Sequence, residues 1–434
     1  MSTLPRRVFD RMPNKAQDAV RRAAGKTNGS TPPSKPLASG LRVGNQAIHE
    51  VRRTPEADDA TDAWLDKVES IAELAVEHRD RGEADRRMPP ELNDALRAAG
   101  FARMMVPRHA GGEQESLTTA TRVVEELARL DGSLGWVGWV TIGHGRLADL
   151  MSTAATSAVY DHGEGVVAGS ILNTGTATRV PGGYRLTGQW SFASGCHGAD
   201  YFLTGGSVVE DGKKVIIDGE PLLLALLLPP SECEILDTWH TTGLSGTGSH
   251  DIRVDDVFVA DEFTFRADGV WQVLDSDGVG YGRPYSEYSP PMMAAVALGI
   301  AQHAIDEFKA MVEFKNRQQE MHWMARLPNT NAALGRAEAT VQAARSFLYE
   351  NVRLLASLEP GDAAMGLQSQ MVGRYVAEQS AVVVDDLYEA GGGFSIYKRN
   401  QIERCFRDVR MVTHHGLISS VTYGNVGQAM TSGS

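Results

Sequence analysis

The sequence predicts an α+β protein in which a helical domain, a β-domain and a helical bundle follow one another. Apolar residues recur at three- and four-residue spacing within residues 56–160, as in helices with one buried face. Short apolar runs separated by glycine-containing turns fill residues 161–275 and indicate a β-barrel or sandwich. Long amphipathic stretches return in residues 276–434 and suffice for a four-helix bundle.

Composition and charge narrow the class of protein. The 434 residues can form two or three domains with a large core, and the apolar content of 42% is ordinary for a soluble protein. A net charge of −13 argues against nucleic acid or an anionic membrane as the main partner. No apolar run approaches the roughly 20 residues of a membrane helix, and the N-terminus lacks a secretory pattern. The 3 cysteines are far apart, so neither a disulfide framework nor a metal site is indicated. We therefore expect a cytoplasmic protein.

Residues 1–55 are predicted to form a disordered or loosely packed extension. The stretch Thr27–Gly40 is rich in Gly, Ser, Pro and Lys, and such a composition buries too little surface to offset the entropy of ordering. A short helix over Asn14–Ala24 stays open, and we assign the extension no chemistry.

Four helices are predicted in the first domain. The second begins at the Pro89–Pro90 pair and stops at Gly100, because proline is tolerated in a first turn and glycine favours a helix end. The first begins near Asp58, the third spans Leu117–Leu130, and the fourth begins at Ser133 and carries Trp136, Trp139 and His144. His144 is either a helix-end histidine bonded to a backbone carbonyl or a substrate-binding residue.

In the β-domain, the stretch Gln189–Asp200 (Q-W-S-F-A-S-G-C-H-G-A-D) carries the clearest functional pattern. Trp190 and Phe192 alternate with period two, as in a strand with one buried face. Ser194 follows where the strand gives way to a glycine turn, which leaves its hydroxyl free to meet a ligand. An aromatic wall ending in one hydroxyl suits a flat, redox-active ring. The alternative is a barrel strand that ends in a turn.

A second candidate segment, Trp239–Asp251, follows in the same domain. Its glycines, including Gly248, permit a close backbone approach, and Thr247 and Ser249 supply hydroxyls. The segment is either a long loop or a grip on the polar edge of a ligand. It does not match the G-x-G-x-x-G fingerprint of a Rossmann nucleotide site.

The bundle is predicted to begin after Pro290 and Pro291. Further helices are expected over Ala332–Leu358, Leu367–Tyr388 and Ile402–His415. Three consecutive glycines are costly inside a helix, so Glu389–Tyr397 is predicted to be a loop that approaches something closely. These glycines are Gly391, Gly392 and Gly393.

These features together resemble the acyl-CoA dehydrogenase superfamily. The segment Leu96–Gly112 (L-R-A-A-G-F-A-R-M-M-V-P-R-H-A-G-G) resembles the superfamily's first-domain signature, although Ala110 stands where a tyrosine is usual. The segments Ala297–Ala301 and Gly391–Arg410 resemble its helical bundle. The resemblance covers nearly the whole chain after the extension.

Within the superfamily, the chain more closely resembles the oxygenase components of two-component flavin monooxygenases, such as p-hydroxyphenylacetate hydroxylase, secosteroid hydroxylase and dibenzothiophene monooxygenase. Three local matches support this: W-S-F-A-S-G, G-L-S-G-T-G-S-H-D, and an R-D pair followed by a histidine. The third pattern gives Asp408 and His415.

The resemblance implies that reduced FMN or FAD from a separate flavin reductase reacts with O2 to a flavin hydroperoxide, which oxygenates a small aromatic or heteroatom-containing substrate. It places Ser194 near flavin N5, with Trp190, Phe192 and Ala193 against the ring and Thr247, Gly248 and Ser249 nearby. His415 would take a substrate proton or polarise the peroxide, since an imidazole pKa of about 6.5 suits both roles. The neighbouring His414 would point elsewhere, and His144 resembles a substrate-side histidine.

The resemblance also implies a homotetramer in which a neighbouring subunit completes the site for the flavin phosphate tail. Arg317 and the Gly391–Gly393 segment are the candidates, although Arg317 is equally consistent with a solvated surface charge.

Two other functions stay open. An acyl-CoA dehydrogenase with tightly bound FAD needs a carboxylate base, and no glutamate follows Glu403. Some members place that base on an earlier helix, so Glu307 and Glu313 stay candidates. A non-enzymatic relative would bind no flavin, and the intact set of hydroxyl residues and His415 argues against it.

Overall fold

The structure, a computed structural model, describes residues 59–160, 165–272, 282–317 and 328–432. The predicted extension, residues 1–55, lies outside these ranges. The side chains of residues 59, 171–173, 314–317 and 328 are also not described.

Helices make up the first part of the described chain. Two of them begin at capping side chains that accept backbone hydrogen bonds, Ser116 from Thr119 N and Asp131 from Leu134 N. The predicted first helix is two helices that meet at Ile71. The bounds are α1 Asp59–Ser70, α2 Ala72–Asp85, α3 Pro90–Ala98, α4 Leu117–Leu130, α5 Gly132–His144 and α6 Thr153–Tyr160.

The central part is a mixed sheet. Its strands lie in the order β10-β7-β3-β1-β2-β9-β8, with β4 paired to β3 and with β5 and β6 forming a separate pair. The β1–β3 pair is parallel and the other pairs are antiparallel. The bounds are β1 Val167–Val180, β2 Gly183–Ala193, β3 Tyr201–Glu210, β4 Lys213–Lys214, β5 Ile216–Ile217, β6 Glu220–Pro221, β7 Leu223–Leu228, β8 Glu234–Leu236, β9 His250–Ala260 and β10 Thr264–Arg266.

Strand β7 explains the long apolar run in this part of the sequence. Leu224 and Leu226 pack into the core on one side of the sheet, and Ala225 and Leu227 pack into the core on the other side. A strand that is buried on both faces has no polar alternation, so its sequence is continuously apolar.

Long helices follow the sheet. Helix α7 packs against α8, α9 and α10 and also against α4 and α5, so the two helical parts share one core. None of the helices in the described ranges is long and apolar enough to span a membrane. The bounds are α7 Tyr285–Arg317, α8 Pro328–Ser357, α9 Ala363–Gly391, α10 Gln401–Val412 and α11 Val421–Thr431.

The predicted order of helical part, sheet and helical part is confirmed, but three details of the last part differ. Pro290 and Pro291 lie inside α7 rather than before it. Helix α10 ends at Val412, so His415 lies beyond it. Gly391 still belongs to α9, and a short 3-10 turn, Gly392–Phe394, follows at once. The domain boundaries stay predictions.

Candidate active site

Side chains from three distant parts of the chain form one line of hydrogen bonds at the end of β2. The indole Nε1 of Trp136 donates to Ser194 Oγ at 3.1 Å. Ser194 Oγ lies 2.7 Å from Ser249 Oγ, which in turn lies 2.7 Å from Thr247 Oγ1. Thr247 Oγ1 donates to the carbonyl oxygen of Leu244 at 2.8 Å. We call Trp136, Ser194, Ser249 and Thr247 the hydroxyl chain.

A bulge between β2 and β9 shapes the end of β2. Trp190 pairs with Ile252, but the next pair is Ala193 with His250, so the bulge lies between them. Phe192 has φ of +69°, which is strained for a bulky residue and is typical of functional sites. The residue is 62% exposed, and its ring lies edge-on to Trp239 at 6.2 Å between centroids.

The bulge also corrects one expectation. Period two places Trp190 and Phe192 on one face, but the left-handed turn at Phe192 sends the two rings apart. Trp190 is fully buried in the sheet core, and its Nε1 donates to the carbonyl of Gly205 at 2.7 Å. Phe192, and not Trp190, presents an open aromatic surface beside Ser194, and the contact between Trp190 and a cofactor stays a prediction.

His415 also borders Trp136. Its ring centroid is 5.9 Å from that of Trp136 and 5.7 Å from that of Trp139. Ser194 and His415 thus contact the same indole, one through its N–H and one through its ring. Of the two adjacent histidines, His414 is exposed and His415 is partly buried.

The hydrogen bond to His415 defines its tautomer. The backbone N–H of Leu417 donates to His415 Nδ1 at 3.3 Å. Since Nδ1 accepts, the neutral ring carries its proton on Nε2. Burial lowers the pKa of His415 to about 4, so the ring is neutral near pH 7. The structure therefore offers an N–H donor at His415.

Asp408 ties the loop that carries two of the hydroxyls to the helix that precedes His415. The backbone N–H of Leu244 donates to Asp408 Oδ1 at 2.6 Å, and Arg407 donates to the carbonyl of Thr242 at 2.8 Å. Burial, together with the nearby Asp131, raises the pKa of Asp408 to about 7. Helix α10 thus connects the loop that carries Thr247 and Ser249 to the segment that carries His415.

Several predicted cofactor contacts lie one layer behind Ser194 and Phe192. Ala193, Thr247 and Ser249 are 0%, 1% and 2% exposed. Gly248 has φ of +54°, and an added Cβ would lie 3.1 Å from the Cα of Arg87. The close approach that this glycine permits is therefore to the turn between α2 and α3.

Cys196 is a packing residue beside this layer. Its thiol donates to the carbonyl of Gly248 at 3.2 Å. Burial raises the pKa of the Cys196 thiol to about 12, which keeps it protonated at neutral pH.

His144 shows the structural role that the sequence left open. Its Nδ1 donates to the carbonyl of Val167 at 2.8 Å and so fixes the end of α5 to β1. Burial lowers the pKa of His144, although this hydrogen bond opposes the shift. The contacts that link Ser194 and His415 do not include His144, and its substrate role stays a prediction.

The candidate phosphate residues belong to the ends of two long helices. Arg317 is the last residue of α7, and its side chain lies outside the described part of the chain. Gly391 is buried at the end of α9, whereas Gly392 and Gly393 are exposed in the turn that follows. Their assignment to a phosphate also stays a prediction.

The two glutamates considered as a dehydrogenase base have other surroundings. Glu307 faces His303, with 3.5 Å between Oε1 and Nε2. Glu313 is exposed. The hydroxyl chain contains neither residue.

Sequence reasoning missed the roles of Trp136 and Asp408. Trp136 lies on α5, a helix with buried apolar residues on every side, so periodicity does not show which indole meets the sheet. Asp408 stood in a recognised motif, but its partner is a backbone N–H that is 164 residues away in sequence. One general signal was available in the sequence: a tryptophan that packs inside a protein usually finds an acceptor for its N–H, so an acceptor near Trp136 was to be expected.

Comparisons with known proteins agree with this architecture. The model of the acyl-CoA dehydrogenase N-terminal domain matches residues 58–158, and that of the C-terminal domain matches residues 291–420. Indole-3-acetate monooxygenase of Pseudomonas putida is 31% identical over 376 residues, covering 85% of this chain and 92% of the relative. The oxygenase component of FADH(2)-dependent resorcinol hydroxylase of Rhizobium sp. is 27% identical over 384 residues, covering 84% and 93%.

A solved structure gives the same result. The HsaA monooxygenase of M. tuberculosis superposes with a TM-score of 0.75 at 25% identity, covering 85% of this chain and 97% of that chain. The chain belongs to the acyl-CoA dehydrogenase superfamily and, within it, to the flavin-dependent monooxygenases that act as oxygenase components of two-component systems.

Proposed function

We propose that the chain transfers one oxygen atom of O2 to a small aromatic substrate, with Ser194 and His415, which both contact Trp136, as the residues that act on the flavin and the substrate. The main support for this proposal is that the indole of Trp136 contacts both Ser194 and His415. Two relatives are named for indole-3-acetate and resorcinol, which are both aromatic. Reduced flavin supplies the two electrons, and the second oxygen atom leaves as water.

The chemistry of Phe192 and Ser194 fits a flat flavin ring. Phe192 is 62% exposed and presents an aromatic surface, and Ser194 follows it by two residues with a hydroxyl. We assign Phe192 and Ser194 to the ring and its reactive edge, with Ala193 behind them. Reduced FAD is the first cofactor to test because the resorcinol relative is named as FADH(2)-dependent; reduced FMN is the second.

The remaining residues would exclude water and orient the substrate. Trp136 and Trp139 contact each other edge-on, at 4.8 Å between centroids, and both border His415. Apolar walls of this kind keep the reaction away from water. The Nε2–H of His415 would donate a hydrogen bond to the substrate or to the oxygen being transferred. This replaces the expected role as proton acceptor, since Nδ1 is engaged by Leu417.

We further propose a homotetramer. In it, Arg317 and the Gly391–Gly393 segment of one subunit would hold the flavin phosphate bound by its neighbour, and His144 would border the substrate. A cytoplasmic location stays a prediction.

The test supplies the protein with reduced FAD or reduced FMN from a separate reductase, and then with O2 and an aromatic compound such as indole-3-acetate or resorcinol. Mass spectrometry should detect a product that is heavier by one oxygen atom, and only when reduced flavin is present. Ser194→Ala should increase hydrogen peroxide release, whereas Ser191→Ala, on the same strand, should not.

Two results would contradict the proposal. One is full conversion of O2 to hydrogen peroxide with every aromatic compound tried. The other is tightly bound oxidised FAD that is bleached by an acyl-CoA, which would identify a dehydrogenase.

A further inference from the structure

The two ends of the hydroxyl chain fix the direction of every hydrogen bond in it. The indole N–H of Trp136 can only donate, and the carbonyl of Leu244 can only accept. Thr247 uses its single hydroxyl hydrogen on that carbonyl, so it must accept from Ser249. Ser249 has then used its own hydrogen and must accept from Ser194. Each hydroxyl therefore points its hydrogen away from Trp136 and toward Leu244.

This direction leaves Ser194 with one unused capacity. A serine hydroxyl has one hydrogen and two lone pairs. The hydrogen goes to Ser249, and one lone pair receives the N–H of Trp136. The second lone pair is free for a ligand, and it can only accept.

We propose that Ser249 and Thr247 are positioning residues that make Ser194 a hydrogen-bond acceptor and thereby make the site selective for reduced over oxidised flavin. The proposal rests on the proposed function, which brings the flavin edge to Ser194. Reduced flavin carries a hydrogen on N5 and donates there. Oxidised flavin has a lone pair on N5, which would face a second lone pair on Ser194.

The acceptor end of the chain is held firmly. The carbonyl of Leu244 receives three hydrogen bonds: from the hydroxyl of Thr247 at 2.8 Å, from the backbone N–H of Thr247 at 3.1 Å and from the indole N–H of Trp239 at 3.1 Å. The N–H of Leu244 donates to Asp408. Ser194, Thr247 and Ser249 are each less than 10% exposed, so water does not readily replace a missing partner. A reversed chain would leave the hydroxyl oxygen of Thr247 and the carbonyl oxygen of Leu244 facing each other at 2.8 Å with no hydrogen between them, which is costly.

The experiment measures the dissociation constants of reduced and oxidised FAD under anaerobic conditions, by quenching of tryptophan fluorescence, for the full chain and three variants. Ser249→Ala removes the acceptor for the Ser194 hydrogen, which can then turn toward the ligand and donate to oxidised flavin. Thr247→Val removes the next hydroxyl of the hydroxyl chain, the one that accepts from Ser249. In both variants the ratio of the oxidised to the reduced dissociation constant should fall roughly fivefold, the effect of gaining or losing one buried hydrogen bond of about 1 kcal/mol. Thr247→Ser keeps a hydroxyl in place and should retain the wild-type ratio.

The outcomes separate the two ideas. If the wild-type chain binds no flavin in either redox state, the proposed function fails. If it binds flavin but does not prefer the reduced form, or if Ser249→Ala and Thr247→Val keep the wild-type preference, only the inference about the hydroxyl chain is overturned. A fall in the preference in Thr247→Ser as large as in Thr247→Val would also overturn it, because the volume of the side chain and not its hydroxyl would then be responsible.

Discussion

Replacing Trp136 by phenylalanine isolates one hydrogen bond of the site. The change keeps an aromatic ring beside His415 but removes the N–H that donates to Ser194 Oγ at 3.1 Å. Ser194 is 6% exposed, so water does not easily supply a replacement donor. A neutral hydrogen bond in such a setting contributes about 1 kcal/mol, which corresponds to roughly fivefold in an equilibrium constant.

Without this bond Ser194 Oγ is no longer held in place to accept from the flavin, so we expect Trp136→Phe to weaken the binding of reduced flavin about fivefold and to increase hydrogen peroxide release. Anaerobic titration gives the dissociation constant, and a peroxidase-coupled assay gives the peroxide yield. Trp139→Phe is the matched control. Trp139 lies on the same helix and borders the same histidine, at 5.7 Å between ring centroids. Its variant should bind reduced flavin about as tightly as the wild type.

Equal weakening in both variants would refute this reasoning. The loss would then follow from the smaller ring and not from the missing N–H. An unchanged dissociation constant in Trp136→Phe would refute it as well, because Ser194 would then need no donor from this side.

Two further predictions concern titratable groups. The pKa of His415 is lowered to about 4, so the imidazole stays neutral from pH 6 to 8. The rate of product formation should therefore show no inflection near pH 6.5 that depends on His415, and the pH profiles of the wild type and His415→Ala should have the same shape. His415→Ala should reduce that rate about a hundredfold, the usual effect of removing one hydrogen-bond donor from an active site, and His415→Gln, which keeps an N–H, should recover part of it. Burial and Asp131 raise the pKa of Asp408 from 3.8 to about 7, so between these values the native state holds a proton that the unfolded state has released. The free energy of unfolding should fall by about 4 kcal/mol for this group as pH rises through this window, and stay level above it. Urea unfolding at pH 5 and pH 8 should show a smaller fall in Asp408→Asn than in the wild type. Equal falls in the two proteins would contradict the raised pKa of Asp408.

Local signals predicted the helices well where their ends depend on the residues themselves. The proline at the start of α3 and the glycine after it bound that helix in sequence and in structure alike. Helix α4 spans Leu117–Leu130 as predicted, because its apolar periodicity and its Ser116 cap are both local features. Local signals were less reliable at Pro290 and Pro291, which the packing of α7 accommodates inside the helix.

The sequence predicted which residues form the site better than it predicted how they are arranged. Ser194 and His415 were named from short motifs, and the structure brings both to one indole. Period two placed Trp190 beside Phe192, and the register shift against β9 separates them. That shift depends on the partner strand, so one strand's sequence does not reveal it.

The sequence by itself determined the order of helical part, sheet and helical part, and the types of side chain available for a site. Repeat spacing and turn residues carry that information because they follow from backbone geometry over a few residues. Tertiary structure alone decided that Trp136 meets Ser194 across 58 residues and that Ser194 meets Ser249 across 55. It also decided the direction of the hydroxyl hydrogens, because that direction depends on which groups stand at the two ends of the chain of contacts.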